Sequence, residues 1–389
     1  MKVLVAGACL QPGWTGGEPW VARVIGDGLK KRGWEVVEDP ALRPTAGLIG
    51  MATSPLDWDL ASVRNYERRL REVRPEVVLG FYNYDDSLTR AARNLGIPFV
   101  SSLHIYWPLC PVGTLYIEGQ GVCPGPALGR CLAHMSSNLP PTRLPLNLRS
   151  LPPPAALIAY AKARNRHEEL GAASAVVVPG EHVRRALEAR GYRNLWTIAI
   201  GKAVGSIRPH DWSGGKKIVL FASGTPSERK GFHHFEEVAR RLRPRFPEAD
   251  FVATSFGGNV EVRGTGRLAY DDVMQVISSA YVVLAPSLWD EPFSGAVIEA
   301  LASGKPVVAY DTGGMPEIIG DAGVLVHRGD VEGLTEAVRG LLSDPSRTVA
   351  LGQAARRRAE RLFDLERMID AYSDLLRRAA ERTLDRAAA

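Results

Sequence analysis

Three runs follow one another in the second half of the chain: Tyr281-Val-Val-Leu-Ala-Pro286, then Glu291-Pro-Phe-Ser-Gly-Ala-Val-Ile-Glu299, then Gly304-Lys-Pro-Val-Val308 leading into Gly313-Gly-Met-Pro-Glu317. They read as strand, polar loop, short apolar helix from Pro292, strand and glycine turn. In open α/β folds, ligands bind at the carboxyl ends of strands, where helix N-termini point amides outward. Here that point carries one acid, Glu291, a Ser-Gly pair, and a second acid, Glu299, further along the helix.

Working outward, the same alternation fills the chain. Strands are expected at 2–6, 34–37, 77–79, 98–101, 175–178 and 196–200, with helices at 20–32, 60–71, 85–95 and 181–190 between them. The helical spacing of Val21, Val24, Ile25 and Leu29, stopped by Gly33, is the clearest of these. A second set follows: strands at 217–222, 250–255, 306–309 and 324–326 besides the one at 281, and helices at 232–241, 270–279 and 331–342. Apolar strands alternating with helices predict two α/β units with parallel sheets. The polar stretch 206–215, with Pro209, Gly214 and Gly215, reads as the linker between them. The expected domains are therefore 1–205, with an insertion at 105–155, and 206–364. The remainder, 365–389, is a basic amphipathic helix that packs back on one of the domains. Residues 136–154 read as a proline-containing loop. Residues 155–170 read as a helix, with peripheral membrane contact and ordinary packing both open to it.

The chain has 389 residues, 45% hydrophobic and 23% charged, with a net charge of +5. That is ordinary globular composition with room for two cores. The mild positive charge suits an anionic ligand or simply a solvated surface. No apolar run approaches the roughly 18 residues needed to span a bilayer. The first residues read as a strand rather than a signal segment, so a cytoplasmic protein is expected, with association to the cytoplasmic face of a membrane left open. No nucleic-acid motif appears.

The second half resembles the retaining glycosyltransferases of family 4, whose GT-B fold has two facing Rossmann-like domains around a cleft. The resemblance is carried by Gly224-Thr-Pro-Ser-Glu-Arg-Lys-Gly231, by 286–300 with both acids, and by Gly304-Lys-Pro-Val-Val308 and Gly313-Gly-Met-Pro-Glu317, in family order and spacing. The first half matches more loosely, through Gly16-Gly-Glu-Pro-Trp-Val21, Phe99-Val-Ser-Ser-Leu-His104 and Ala175-Val-Val-Val-Pro-Gly180.

The resemblance implies a nucleotide-diphosphate sugar as donor and a glycan, lipid-linked or small-molecule acceptor, with no cofactor required for catalysis. It implies that Glu299 accepts from the ribose hydroxyls and that Glu291 contacts the donor sugar. Amides around Ser294 and Gly295 would meet the phosphates, and Lys230 with Arg229 would neutralise the leaving diphosphate. Gly224, Gly16 and Gly17 would let backbone approach the donor. His104 would contact the donor sugar or its phosphate. One departure stands out: the family's arginine directly after the loop glycine is Thr225 here. A helix begun at Pro292 would set the two acids roughly 10–12 Å apart along its axis. They would then grip opposite ends of one ligand rather than act as a catalytic pair.

Cys110, Cys123, Cys131 and His134 form a second constellation in a Gly/Pro-rich segment. Three thiolates and an imidazole can hold a structural Zn²⁺; a disulfide within the three, or free buried thiols, fit the same spacing. Cys9 reads as a core residue. Two other functions remain open beside transfer: a nucleotide-sugar epimerase or phosphorylase on a related scaffold, and a non-catalytic nucleotide-sugar-binding protein. Base, sugar, acceptor and oligomeric state have no sequence signal, and base recognition is expected from backbone near Gly266-Arg-Leu268.

Overall fold

The computed structural model describes residues 1–7, 10, 17–39, 57–81, 87–131, 160–161, 167–208 and 216–382, with backbone only for 17–18 and 57–62. The expected loop at 136–154, the helix at 155–159, His134, Cys9, Gly16 and most of the expected linker lie outside the described residues.

The chain divides into two compact units. The first comprises Met1–Gly119, Cys123–Ile198 and Ile369–Ala389; the second comprises Ala199–Met368 with Gln120–Val122.

In the first unit, β1 (Lys2–Ala6), α1 (Gly17–Lys31), β2 (Glu35–Asp39), α2 (Asp57–Val73), β3 (Val77–Phe81), α3 (Ser87–Asn94) and β4 (Phe99–Ser102) alternate. A short ribbon, β5 (Tyr116–Ile117) and β6 (Gly121–Val122), interrupts before β7 (Ala175–Val178), α4 (Glu181–Glu188) and β8 (Leu195–Thr197). The sheet order is β2-β1-β3-β4-β7-β8, all parallel. Every residue of β3, β4 and β7 is buried, as strands covered on both faces require.

The second unit runs β9 (Lys217–Phe221), α5 (Phe232–Leu242), β10 (Ala249–Ala253), β11 (Arg263–Gly264), α6 (Tyr270–Ser279), β12 (Val282–Ala285), α7 (Gly295–Ala302), β13 (Val307–Tyr310), α8 (Met315–Ile319), β14 (Gly323–Val326), α9 (Val331–Ser343) and α10 (Pro345–Leu362). Its parallel sheet has the order β11-β10-β9-β12-β13-β14. One core packs that sheet on α5 and α9, through Phe221, Phe232, Phe235 and Phe251 on one side and Leu334, Val338 and Leu341 on the other.

A last helix, α11 (Leu365–Ala380), begins in the second unit and continues into the first. Its expected apolar stripe, Met368, Ile369, Tyr372, Leu375 and Leu376, is buried. In the first unit, Ser373 Oγ accepts from Trp34 Nε1 at 2.9 Å. Ile369 fills the space over Gly28, where a Cβ would come within 2.4 Å of it.

Two differences from the sequence expectation stand out. The helix carrying Glu299 starts at Gly295, not Pro292. Ser294 has extended backbone (φ −101, ψ 106), and Gly314 N binds Glu291 O at 2.8 Å, so 291–294 stays outside the helix. α10 had no expected counterpart. Its start follows from Asp344, whose Oδ1 accepts from Arg347 N at 3.0 Å, and from Pro345 in the first turn. Its buried face is a row of small residues, Thr348, Gly352, Ala355 and Ala359, with none of the large apolar residues that usually mark a helix.

Candidate active site

The strand order of the second unit reverses between β9 and β12: the chain leaves β9 toward β10 and β11, and later leaves β12 toward β13 and β14. Such a reversal opens a crevice at the carboxyl ends of the two strands. The loops 222–231 and 286–294 border it. Ser223, Lys230, Ser287, Glu291, Ser294 and Ala296 are among the residues that line it.

Backbone contact fixes the two loops together. Leu288 N and Trp289 N donate to Arg229 O at 2.8 and 3.3 Å. Gly231 has φ +69, and a Cβ there would sit 1.8 Å from Pro286 O. Only glycine allows both that backbone conformation and that approach. Gly224 is different: a Cβ would meet nothing within 4 Å among the described residues. Thr225, where the sequence resemblance led us to expect arginine, binds its own loop through Oγ1 to Gly224 O at 2.8 Å.

This docking delivers Lys230 to Glu291. Lys230 Nζ lies 2.5 Å from Glu291 Oε1, and Ser287 Oγ donates to Oε2 at 2.9 Å. Glu291 is 6% exposed. Burial pushes its carboxyl up, but the Lys230 charge and the hydrogen bonds from Lys230 and Ser287 outweigh that and hold it below the ordinary carboxylate value. Gly313 presses on it from behind; a Cβ there would be 2.4 Å from Glu291 N and O. The Trp289 ring lies 5.3 Å from Lys230 Nζ and 5.4 Å from Arg229 Cζ, within cation–π range. Arg229 Nε is buried with no hydrogen-bond partner among the described residues.

Glu299 sits on α7, 6% exposed. Ser294 is the N-cap of that helix and its side chain caps none of the first-turn amides; Gly295 is the first helical residue. The amides of that turn therefore have no side-chain acceptor from their own cap. Glu299 Oε1 receives Lys202 Nζ at 2.6 Å and the Tyr270 hydroxyl at 3.0 Å. Lys202 is itself 5% exposed. Its backbone is bridged to Asp364: Lys202 N donates to Phe363 O at 2.7 Å, and Leu365 N donates to Lys202 O at 2.9 Å.

Lys202, Tyr270, Ser287 and Trp289 were not singled out from sequence. Ser287 and Trp289 lie within four residues of Glu291 and were legible as loop polar groups. Lys202 and Tyr270 are 97 and 29 residues from Glu299 and carry no local signal.

His104 belongs to the first unit, just past β4. Ser102 Oγ bonds both His104 Nε2 at 3.0 Å and the Tyr372 hydroxyl at 2.7 Å. Phe81 stacks on its ring at 6.2 Å, and Nδ1 has no partner among the described residues. Burial pushes His104 down to about 4. Gly17 opens α1; Gly16 lies outside the described residues.

Cys110, Cys123 and Cys131 are buried free thiols, which corrects the disulfide reading. All three line one small pocket with Leu109, Leu115 and Arg130, and burial pushes the Cys131 thiol up, with the neighbouring thiols adding to it. Among the described residues no three side chains of ligating type are arranged to hold a metal. His134, the fourth member of the expected zinc set, lies outside the described residues.

Residues 216–344, which span β9 to the end of α9 and hold the crevice, Glu291, Glu299 and Lys230, match the family model for glycosyl transferases group 1. This stretch is similar to the group 1 glycosyltransferases. Curated relatives include the MMP alpha-(1->4)-mannosyltransferase of Mycolicibacterium hassiacum, 30% identical over 43% of this chain and 44% of that protein. Another is the GDP-mannose-dependent monoacylated alpha-(1-6)-phosphatidylinositol monomannoside mannosyltransferase of Corynebacterium glutamicum, 32% identical over 38% of this chain and 37% of that protein. The chain thus spans less than half the length of these two relatives.

Solved structures resemble this stretch and the first unit together. Sucrose-phosphate synthase from Thermosynechococcus elongatus has a TM-score of 0.69 at 17% identity, covering 98% of this chain and 99% of its own. Anabaena HepE, solved in complex with UDP, has a TM-score of 0.65 at 16% identity, covering 97% and 100%. The fold is GT-B, as expected from the sequence: two Rossmann-like units, each with a parallel sheet. Among the described residues no helix is long and apolar enough to cross a membrane.

Proposed function

We propose that this protein is a retaining glycosyltransferase that moves a sugar from a nucleotide-diphosphate sugar to a glycan, lipid-linked or small-molecule acceptor. The observation that carries the reading is the pairing of two buried acids with separate cations in a stretch similar to the group 1 glycosyltransferases, Glu291 on Lys230 and Glu299 on Lys202, on either side of an open helix N-terminus.

In this reading Glu299 holds the ribose and Glu291 accepts from hydroxyls of the donor sugar, with its carboxylate kept ionised by Lys230. The phosphates lie at the start of α7, where uncapped amides favour negative charge. Lys230 has three N–H donors, one of which is on Glu291. The others turn to the diphosphate as the glycosidic bond breaks and charge accumulates on the leaving oxygen. Arg229, whose buried Nε has no partner among the described residues, supplies a second cation. His104, in the first unit, is a neutral ring near pH 7, a hydrogen-bonding group rather than a charge. The relatives named for mannosyl transfer and the neighbour solved with UDP support a nucleotide-sugar donor.

The test is turnover of the full chain with UDP- and GDP-sugars in the presence of candidate acceptors. Release of nucleoside diphosphate, with the product's new bond in the donor's anomeric configuration by NMR, is expected. Recovery of an altered but intact nucleotide sugar would point instead to an epimerase. Binding without any turnover would point to a non-catalytic binding protein.

A further inference from the structure

Four large apolar side chains stand exposed among the described residues: Met1, Leu128, Val260 and Tyr270, the last at 49%. Tyr270 is the one aromatic among them, and its polar end is bound to protein. The hydroxyl is fixed on Glu299 Oε1, and the Lys202 ammonium lies 5.8 Å from the ring centroid. A ring tethered at its hydroxyl and still half in solvent offers a flat apolar surface at a set position.

The backbone beneath it is equally fixed. Tyr270 is the first residue of α6 and follows the turn at 265–269 at the carboxyl end of β11. Ser255 N donates to Gly266 O at 2.9 Å and Gly266 N to Phe256 O at 2.8 Å, with Gly266 at φ +67.

The third part is the shared oxygen. Lys202 and Tyr270 both bind Oε1 of Glu299. A carboxylate held by one oxygen presents the other in a defined direction. The ion pair with Lys202, both partners nearly buried, holds that carboxylate in place.

We infer that Tyr270 is the aromatic platform on which the donor's nucleoside base packs, and that Lys202 is the positioning residue that aims Glu299 Oε2 at the ribose hydroxyls. This deepens the proposed function and rests on it. Base and ribose are adjacent in any nucleoside, and a ring whose hydroxyl touches the ribose-binding acid lies at the right remove for the base. Stacking of this kind tolerates any base because every base has a π face, so the platform gives affinity while backbone at 265–268 selects the base.

The experiment is calorimetric titration of the full chain with UDP, GDP and inorganic pyrophosphate, for wild type, Tyr270→Phe, Tyr270→Ala, Lys202→Met and Lys202→Arg, each checked for folding by its melting curve. Tyr270→Ala is expected to weaken binding of whichever nucleoside diphosphate the wild type binds by about 10-fold or more. Its affinity for pyrophosphate should be unchanged. Tyr270→Phe, which keeps the ring, should retain most of the binding. In turnover, Tyr270→Ala should raise the donor KM and leave kcat nearly intact. Lys202→Arg should restore diphosphate binding that Lys202→Met loses. Equal affinity of Tyr270→Ala and wild type, or an equal loss for pyrophosphate, overturns the platform. Lys202→Met binding like wild type overturns the positioning role. A wild type that binds neither UDP nor GDP overturns the proposed function, and this inference with it.

Discussion

Lys230 Nζ stands 2.5 Å from Glu291 Oε1 although the two residues come from different loops, 61 positions apart. The pair exists because Gly231 lets one loop press against Pro286 of the other. Their ion pair therefore serves both the docking of the loops and the chemistry proposed for them.

Lys230→Met should separate those two roles. It leaves the carboxylate of Glu291, 6% exposed, without its ammonium. Breaking a fully buried pair costs about 3–5 kcal/mol; the Lys230 side chain is 23% exposed, so about 2 kcal/mol is expected by urea unfolding. Turnover should fall about 100-fold or more. The double variant with Glu291→Gln should regain stability and stay inactive. A single variant as stable as wild type would show that the pair does not hold the loops.

Glu299→Ala should lose measurable binding of UDP and GDP, whereas Glu291→Ala should keep binding and lose turnover. The two acids have different partners and different places relative to α7, so their variants should fail in different ways. Calorimetry and initial rates on both proteins decide it; matching defects would mean that the acids act on one bond.

The pH behaviour follows from two groups held low. Glu291 sits below its ordinary value of 4.5, so the stability it contributes is present above that pH and is lost only as pH falls through the lower folded value. Ser287→Ala removes one of the bonds that hold it low and should move the acid unfolding midpoint upward. His104 is pushed from 6.5 to about 4. Between those values the unfolded chain binds a proton that the folded chain refuses, so stability should decline as pH drops from about 6.5 toward 4. His104→Asn should flatten that decline in a pH series of melting temperatures.

Gly231→Ala should be among the most damaging small substitutions in the chain. A left-handed non-glycine residue costs about 1–3 kcal/mol, and the collision with Pro286 O adds to that. Loss of more than about 2 kcal/mol of stability, together with loss of turnover, is expected. Gly224→Ala, whose Cβ meets nothing within 4 Å among the described residues, should keep wild-type stability; any loss of donor binding there would place ligand against that glycine.

Buried parallel strands announce themselves as short apolar runs, and β1, β7 and α6 are found at the expected residues. The carboxyl-end loops were legible because glycine, proline and acid residues crowd there. α10 was not, because its buried face is built from Thr348, Gly352, Ala355 and Ala359, and small residues give no hydrophobic period. Lys202 was invisible for another reason. A lysine in Ile200-Gly-Lys-Ala-Val204 reads as surface, and only the third dimension brings it to Glu299. The start of α7 was misplaced because Pro292 favours a helix start locally, while the backbone contact of Glu291 with Gly314 holds 291–294 out of the helix.

The return of α11 to the first unit has a consequence for how the chain is made. Tyr372, Leu375 and Leu376 belong to that unit's core, yet they are synthesised after the whole of the second unit. On the ribosome the second unit can close as soon as its own residues have emerged, whereas the first, though translated earlier, waits with an open face for the last helix. A fragment ending near residue 198 would then be an unfinished unit rather than an independent domain, and a stop codon before α11 would harm the half of the protein farthest from it in sequence.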